Sequence, residues 1–166
     1  MAGHNVLNAY SKMARQAGIH PVRLIHMLYE RALDHLELAE EGIREHSPGK
    51  RGENISKVIA IVTELNAAIK SDDASEAARF LRGLYRAILL ELPKVSVSED
   101  AKILRQARTY LERLKVIWEQ TAMAELTKNA PGEKIVDYDN IEVAMGEMER
   151  EQLPVRVAAG GLSVSI

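Results

Sequence analysis

Five histidines and twenty-four carboxylates are the residues of this chain with catalytic or metal-binding potential, so their spacing decides whether chemistry is built in. A di-iron site in a helical bundle needs Glu-x-x-His pairs projecting inward from facing helices. No glutamate here is followed three residues later by a histidine. A histidine phosphotransfer bundle would present an exposed histidine followed by a lysine and a small residue, whereas His26 is followed by Met27, Leu28 and Tyr29. His4, His20, His35 and His46 read as a terminal residue, a helix cap, a member of an acidic face and a loop residue. Arg79, Arg82 and Arg86 share one helix and could grip an anion, but no matching cations recur at set spacings elsewhere, so a solvated face is the simpler reading. There is no phosphate-cradling Gly-x-x-x-x-Gly-Lys loop, no Ser/His/Asp arrangement and no cysteine. Thiolate metal sites, cysteine nucleophiles and disulfides are excluded outright by the last absence. The expectation is a protein without catalytic residues, metal or cofactor.

What the pattern offers instead is apolar surface. From Pro21 a helix stripe runs through Val22, Ile25, Tyr29, Ala32, Leu36, Ala39 and Ile43 in steps of three and four. Leu24, Met27 and Leu28 lie off that stripe, so the first half of the helix is apolar nearly all round. Such an excess must be covered by another part of the chain or by a partner. Ile19, His20 and Pro21 supply the staple, cap and first-turn residues of its start.

Around this helix the chain organises simply. A short amphipathic segment with Val6, Leu7, Tyr10, Met13, Ala14 and Ala17 comes first and ends at Gly18; at about three turns it is marginal alone in water and needs a host. After the long helix, His46 to Gly52 reads as an exposed loop. A third helix over roughly 53–70 carries Ile55, Val58, Val62, Leu65 and Ile69, with Ile59 and Ile61 beside them. Asp73 and Glu76 have capping-box spacing ahead of a fourth helix bearing Ala78, Leu81, Leu84, Tyr85, Ile88 and Leu92, which Pro93 stops. Ser96 and Glu99 propose a second capping box before a fifth helix with Ile103, Ala107, Tyr110, Leu114 and Ile117. Short connections between long helices predict an all-α, antiparallel four-helix bundle with a short additional N-terminal helix.

Composition agrees with a bundle. At 166 residues, 46% hydrophobic and 28% charged, the chain is long enough for a proper core, and 4% aromatics means aliphatic side chains build it. No run approaches the ~18 apolar residues of a membrane span, and the start lacks the pattern of a signal peptide, which together suggest a cytoplasmic protein. A net charge of -2 brings no general attraction to nucleic acid. Residues 125–166 hold eight acidic and four basic side chains and are distinct from the body. They read as a C-terminal extension beyond a bundle of residues 1–124: a linker around Asn129-Ala-Pro-Gly132, a short helix with Ile141, Met145 and Met148, then an alternating extended segment to Ile166.

Several stretches, taken in order, resemble a known family. Asn8-Ala-Tyr10 is followed by His20-Pro-Val-Arg-Leu-Ile-His-Met-Leu-Tyr-Glu-Arg-Ala-Leu33, then by Ile59-Ala-Ile-Val-Thr-Glu-Leu65, Leu81-Arg-Gly-Leu-Tyr85 and Leu114-Lys-Val-Ile-Trp118. This set, over about residues 5–122, is similar to the flagellar secretion chaperone FliS. The chain departs from the family pattern at Tyr29-Glu-Arg31, at the glycine-free connection 69–77, and in residues 125–166. The resemblance implies a bundle that holds the C-terminal segment of flagellin in the cytoplasm before type III export, burying an amphipathic, self-assembling end so that it cannot polymerise early. Other flagellar regulatory or export proteins are further partners it allows; monomer and dimer both stay open. Combined with the apolar excess, it singles out Leu7, Tyr10, Leu24, Leu28, Ile59 and Tyr85 as the expected partner-binding surface. Two alternatives remain: a chaperone or adaptor for another secreted or flagellar protein, and a phosphotransfer bundle acting through His26.

Overall fold

The computed structural model describes residues 12, 16 and 18–129. The expected first helix, apart from residues 12 and 16, and the expected extension beyond residue 129 lie outside the described residues. The chain divides into two units, Met1–Val136 and Asp137–Ile166, and the first contains the bundle.

Four long helices make the bundle: α1 Pro21–Arg44, α2 Pro48–Ala67, α3 Glu76–Glu91 and α4 Ala101–Trp118. No strand occurs among the described residues, so the all-α expectation holds. Beyond α4 the helix continues through a π-helical turn, Glu119–Met123, into Ala124–Asn129. α1 begins as its sequence demands: His20 Nδ1 accepts the Val22 amide at 3.2 Å and Pro21 fills the first turn.

Three other helix starts differ from the expectation. α2 begins five residues early, because Ser47 caps it and Pro48 occupies the first turn, which leaves almost no loop. Only His46 turns the chain, in the left-handed region at φ 51°, while the Ser47 amide reaches back to the Gly42 carbonyl at 2.8 Å; this is a glycine-type helix end made by a histidine. α3 is capped by Ser75, whose hydroxyl accepts from the Ala78 amide at 3.2 Å. Asp73 instead accepts from the Ser75 amide at 2.9 Å. α4 is capped by Asp100, and Ser96 lies inside a preceding helical turn, Val95–Ser98. In each case the short polar side chain nearest the first turn won, as local hydrogen-bond geometry favours.

The core is aliphatic, with Ala32, Ala39, Val58, Val62, Leu92, Val95 and Leu111 fully enclosed. α1 lies between α2 and α4. On the α2 side the backbones come very close: a Cβ built on Gly42 would stand 2.6 Å from the Arg51 amide nitrogen. The same approach buries His35, whose Nδ1 is 2.8 Å from Asn54 Oδ1; the expectation of an exposed His35 on an acidic face is thereby corrected. On the α4 side the seam is electrostatic. His26 meets Glu119 at 2.7 Å, Glu30 meets Lys115 at 3.2 Å, Glu37 meets Arg108 at 4.0 Å and Glu40 meets Arg105 at 2.8 Å. The steps along α1 are matched by equal steps back along α4, which fixes the antiparallel register. The bond from His26, helped by Lys115, holds the Glu119 carboxyl below the ordinary carboxylate value.

Arg51 ties the far end together. Only 7% of its side chain is exposed, and it donates to Glu99 at 2.7 Å and to the Ser96 carbonyl at 3.1 Å. Glu99, at φ 54°, is held in the left-handed conformation beside this contact. Gly42→Ala should destabilise the bundle by about 1–3 kcal/mol, the usual cost of overpacking. Gly83→Ala, where nothing lies within 4 Å, should stabilise it by about 0.5–1 kcal/mol by removing backbone freedom in a helix. Urea unfolding of the two variants checks both signs.

Candidate binding groove

Three seams of the bundle are closed: α1 on α2, α1 on α4 and α2 on α3. α3 and α4 barely meet. After α3 a single 3-10 turn, Leu92–Lys94, and the helical turn Val95–Ser98 carry the chain across. Leu92 and Val95 plug the space beneath. Above this plug the helices leave a groove. Ala87, Ile88 and Leu92 face Ile103, Ala107 and Tyr110 across a cavity of about 100 Å³, with Glu91 and Gln106 at its polar lip. Two alanines where larger residues would meet explain the gap.

Helical rotation carries the same strip further along both helices, to Phe80 and Leu84 on α3 and to Leu114 and Ile117 on α4. Phe80 is 64% exposed and Ile117 55% exposed, so two large apolar side chains stand open at the far end. Gln106 donates to the Tyr110 hydroxyl at 2.9 Å, and Lys94 neutralises Glu91 at 2.6 Å. Among the described residues lining the cavity, the ionisable side chains are Glu91 and Tyr110. Among the described residues no group of three or more metal-ligating side chains occurs.

Of the residues expected to bind a partner, Leu24, Leu28, Ile59 and Tyr85 are not among those lining this cavity. Leu28 and Tyr85 are core side chains, each 2% exposed, and Leu24 is buried. Ile59 is half-buried against the core. Leu7 and Tyr10 lie outside the described residues. Tyr85 shares a 2.6 Å hydrogen bond with Tyr29, and burial pushes both phenols upward from their ordinary value. The apolar excess on residues 22–29 is thus largely internal: Leu24, Met27, Leu28 and Tyr29 are all buried. His26 sits between two carboxylates, with Nε2 2.7 Å from Glu119 and Nδ1 3.6 Å from Glu30. That setting disfavours an incoming phosphoryl group.

The groove had a trace in the sequence that pattern reading passed over. Ile103, Ala107, Tyr110, Leu114 and Ile117 look like an ordinary core stripe, and only the missing wall of α3 leaves part of it open. Phe80 and Leu90, both 64% exposed, lie off the core stripe of α3, which is the same kind of surplus that draws attention on α1.

An open apolar seam on a helical bundle is the kind of surface by which a binding protein takes up an amphipathic segment of another chain. The family described as Flagellar protein FliS matches residues 4–125, and the chain belongs to that family of flagellar secretion chaperones. A relative from Campylobacter jejuni, the flagellar secretion chaperone FliS, is 37% identical over 103 residues, covering 60% of this chain and 79% of its own length. The protein of the same name from Bacillus subtilis is 24% identical over 125 residues, covering 75% of this chain and 92% of its own. Among the described residues no helix is long and apolar enough to cross a membrane.

The tyrosine pair separates core from surface roles. Tyr85→Phe should cost about 1–3 kcal/mol, because the buried Tyr29 hydroxyl loses its partner. The double change Tyr29→Phe with Tyr85→Phe should restore most of that. Thermal or urea unfolding of the three variants tests the non-additivity.

Proposed function

We propose that the protein is a cytoplasmic export chaperone that holds the C-terminal segment of flagellin in the α3–α4 groove until type III flagellar secretion, and so prevents premature polymerisation. The observation that carries this is the open apolar seam itself, in a chain whose family consists of flagellar secretion chaperones. The strip from Ile103 to Ile117 is about 21 Å long at 1.5 Å per helical residue, which matches roughly four turns of a bound helix. An amphipathic helix laid there would cover Phe80, Ala87, Tyr110 and Ile117 while turning its polar side outward, the helix-in-groove mode. Each large apolar side chain so buried contributes about 1.5–3 kcal/mol, and several are needed to offset the ~4–15 kcal/mol cost of association. No bond is made or broken. Protection follows from burying the surface that flagellin would use to assemble.

We assign the binding role to the bundle of residues 1–124, with residues 125–166 as an extension. Leu7 and Tyr10 belong to the proposal as the apolar face of the N-terminal segment, which would complete the client contact.

Calorimetry with a flagellin C-terminal peptide tests the reading. Phe80→Glu and Ile117→Glu should each weaken binding about 10- to 100-fold, following the burial lost at about tenfold per 1.4 kcal/mol, with the melting temperature unchanged. Leu38→Glu, on α1 away from the groove, should leave affinity unaltered. Unchanged affinity in both groove variants would refute the assignment. Tyr10→Glu should weaken binding with little loss of bundle stability; a collapsed melting point with intact binding would instead make Tyr10 a core residue.

A further inference from the structure

The two lips of the groove differ in charge. At about 100° per residue, Lys102, Gln106 and Arg113 share one edge of α4. Gln106 lines the cavity, so the two cations stand on the outer lip of the groove, and both are exposed. Neither forms a side-chain ion pair among the described residues. Asp100, the carboxylate nearest Lys102 in sequence, is engaged at the start of α4, where it accepts the Lys102 amide at 2.9 Å.

The lip on α3 is acidic. Glu91 lines the cavity, and the same rotation continues its edge through Ala87 and Phe80 to Glu76. Glu76 is exposed in the first turn of α3, where the helix dipole favours a carboxylate. Glu91 shares its charge with Lys94, 2.6 Å away in the turn that follows the helix. The arginines of α3 face another way: Arg79 and Arg86 share the side of Arg82, which donates to the Lys70 and Asp73 carbonyls at 2.6 and 2.9 Å. With Leu92 across from Ile103, the antiparallel register sets Lys102 near Glu91 at the plugged end, Arg113 further along, and Glu76 at the far end.

Resting on the groove reading above, we infer that the seam fixes the direction of the amphipathic helix it holds, with an acidic flank against α4 and a basic flank against α3. An apolar stripe alone fits the floor either way round. Turning the helix end for end exchanges its flanks, which would set carboxylates against Glu76 and Glu91 and cations against Lys102 and Arg113. Rim charges of this kind act on partner choice and register more than on raw affinity. The hand follows from α4, whose Arg108 and Lys115 face α1 while Ile103 and Tyr110 face α3. Seen from its own N-terminus, a helix seated on the seam and running parallel to α4 has α4 on its clockwise side. Carboxylates on the clockwise flank therefore select the parallel direction, and carboxylates on the other flank the antiparallel one.

Two designed 18-residue helical peptides test this with the full-length protein. They share one leucine stripe and differ only in which flank carries Glu and which carries Lys. Each bears a nitroxide at its N-terminus, and a helix of ~27 Å outruns the ~21 Å strip, so the label sits beyond one end of the groove. At low salt the peptide with clockwise Glu should broaden the Ile103 methyl signals and its counterpart those of Ile117, with a direction preference of about three- to tenfold. The Lys102→Glu, Arg113→Glu double variant makes both lips acidic, so each peptide should then broaden both ends alike. Near 1 M salt, where charges are screened beyond ~3 Å, the preference should vanish in the same way. If both peptides broaden the same methyl, if the order is reversed, or if neither end is preferred at low salt, the rim inference falls and the groove stands. A peptide that binds without broadening Ile103 or Ile117 would sink the groove assignment and this inference with it.

Discussion

The bundle depends on one close approach, that of α1 to α2 at Gly42. Without a Cβ there, the Arg51 backbone can lie almost against α1, 2.6 Å from where that carbon would stand. From this position the Arg51 side chain is buried and must spend its donors inward, on Glu99 and the Ser96 carbonyl. A buried charge with one partner removed is expensive, so the pair fixes the connection between α3 and α4 in place. That connection sets Leu92 and Val95 as a plug and lets the two helices diverge above it. The open seam therefore starts at a connection that the Arg51–Glu99 pair holds in place.

The other seams are closed by different means. The α1–α2 seam is closed by small residues and methyl packing, with Ala32, Ala39, Val58 and Val62 fully buried. The α1–α4 seam adds a ladder of ion pairs that sets register more than stability, since exposed pairs are individually worth little. Between α3 and α4 there is neither. An apolar strip with large exposed side chains is uncommon on a protein that acts alone. It is expected on one whose task is to cover another chain's sticky surface.

The fold was largely legible in the sequence because its signals are local and redundant: the His20–Pro21 start, the three-and-four stripes, and a proline after α3. Helix starts were less legible where two capping residues compete, as with Asp73 and Ser75, or Ser47-Pro48 hidden inside a run that looked like loop. The candidate site was hardly legible. A stripe such as Ile103 to Ile117 looks the same whether its neighbour covers it or stands off, and that depends on the path from Leu92 to Asp100. Leu24 and Leu28 were singled out because they are apolar beyond one stripe's needs, yet a helix enclosed by neighbours on two sides needs more than one stripe. His35 looked exposed for a related reason: it falls among acidic residues along α1, and only the crossing of α2 at Asn54 buries it.

Methyl NMR of the isoleucines, with the flagellin C-terminal peptide added stepwise, tests the central claim most directly because the protein carries reporters on both kinds of surface. Ile103 and Ile117 line the groove strip, Ile88 forms its inner wall, and Ile55 and Ile61 lie in the core among α1 and α2. The account predicts shifts at Ile88, Ile103 and Ile117 that saturate together, with Ile55 and Ile61 nearly still. Saturable binding that moves Ile59 and the core methyls while Ile103 and Ile117 stay unchanged would contradict it and place the client on the α1–α2 side of the bundle.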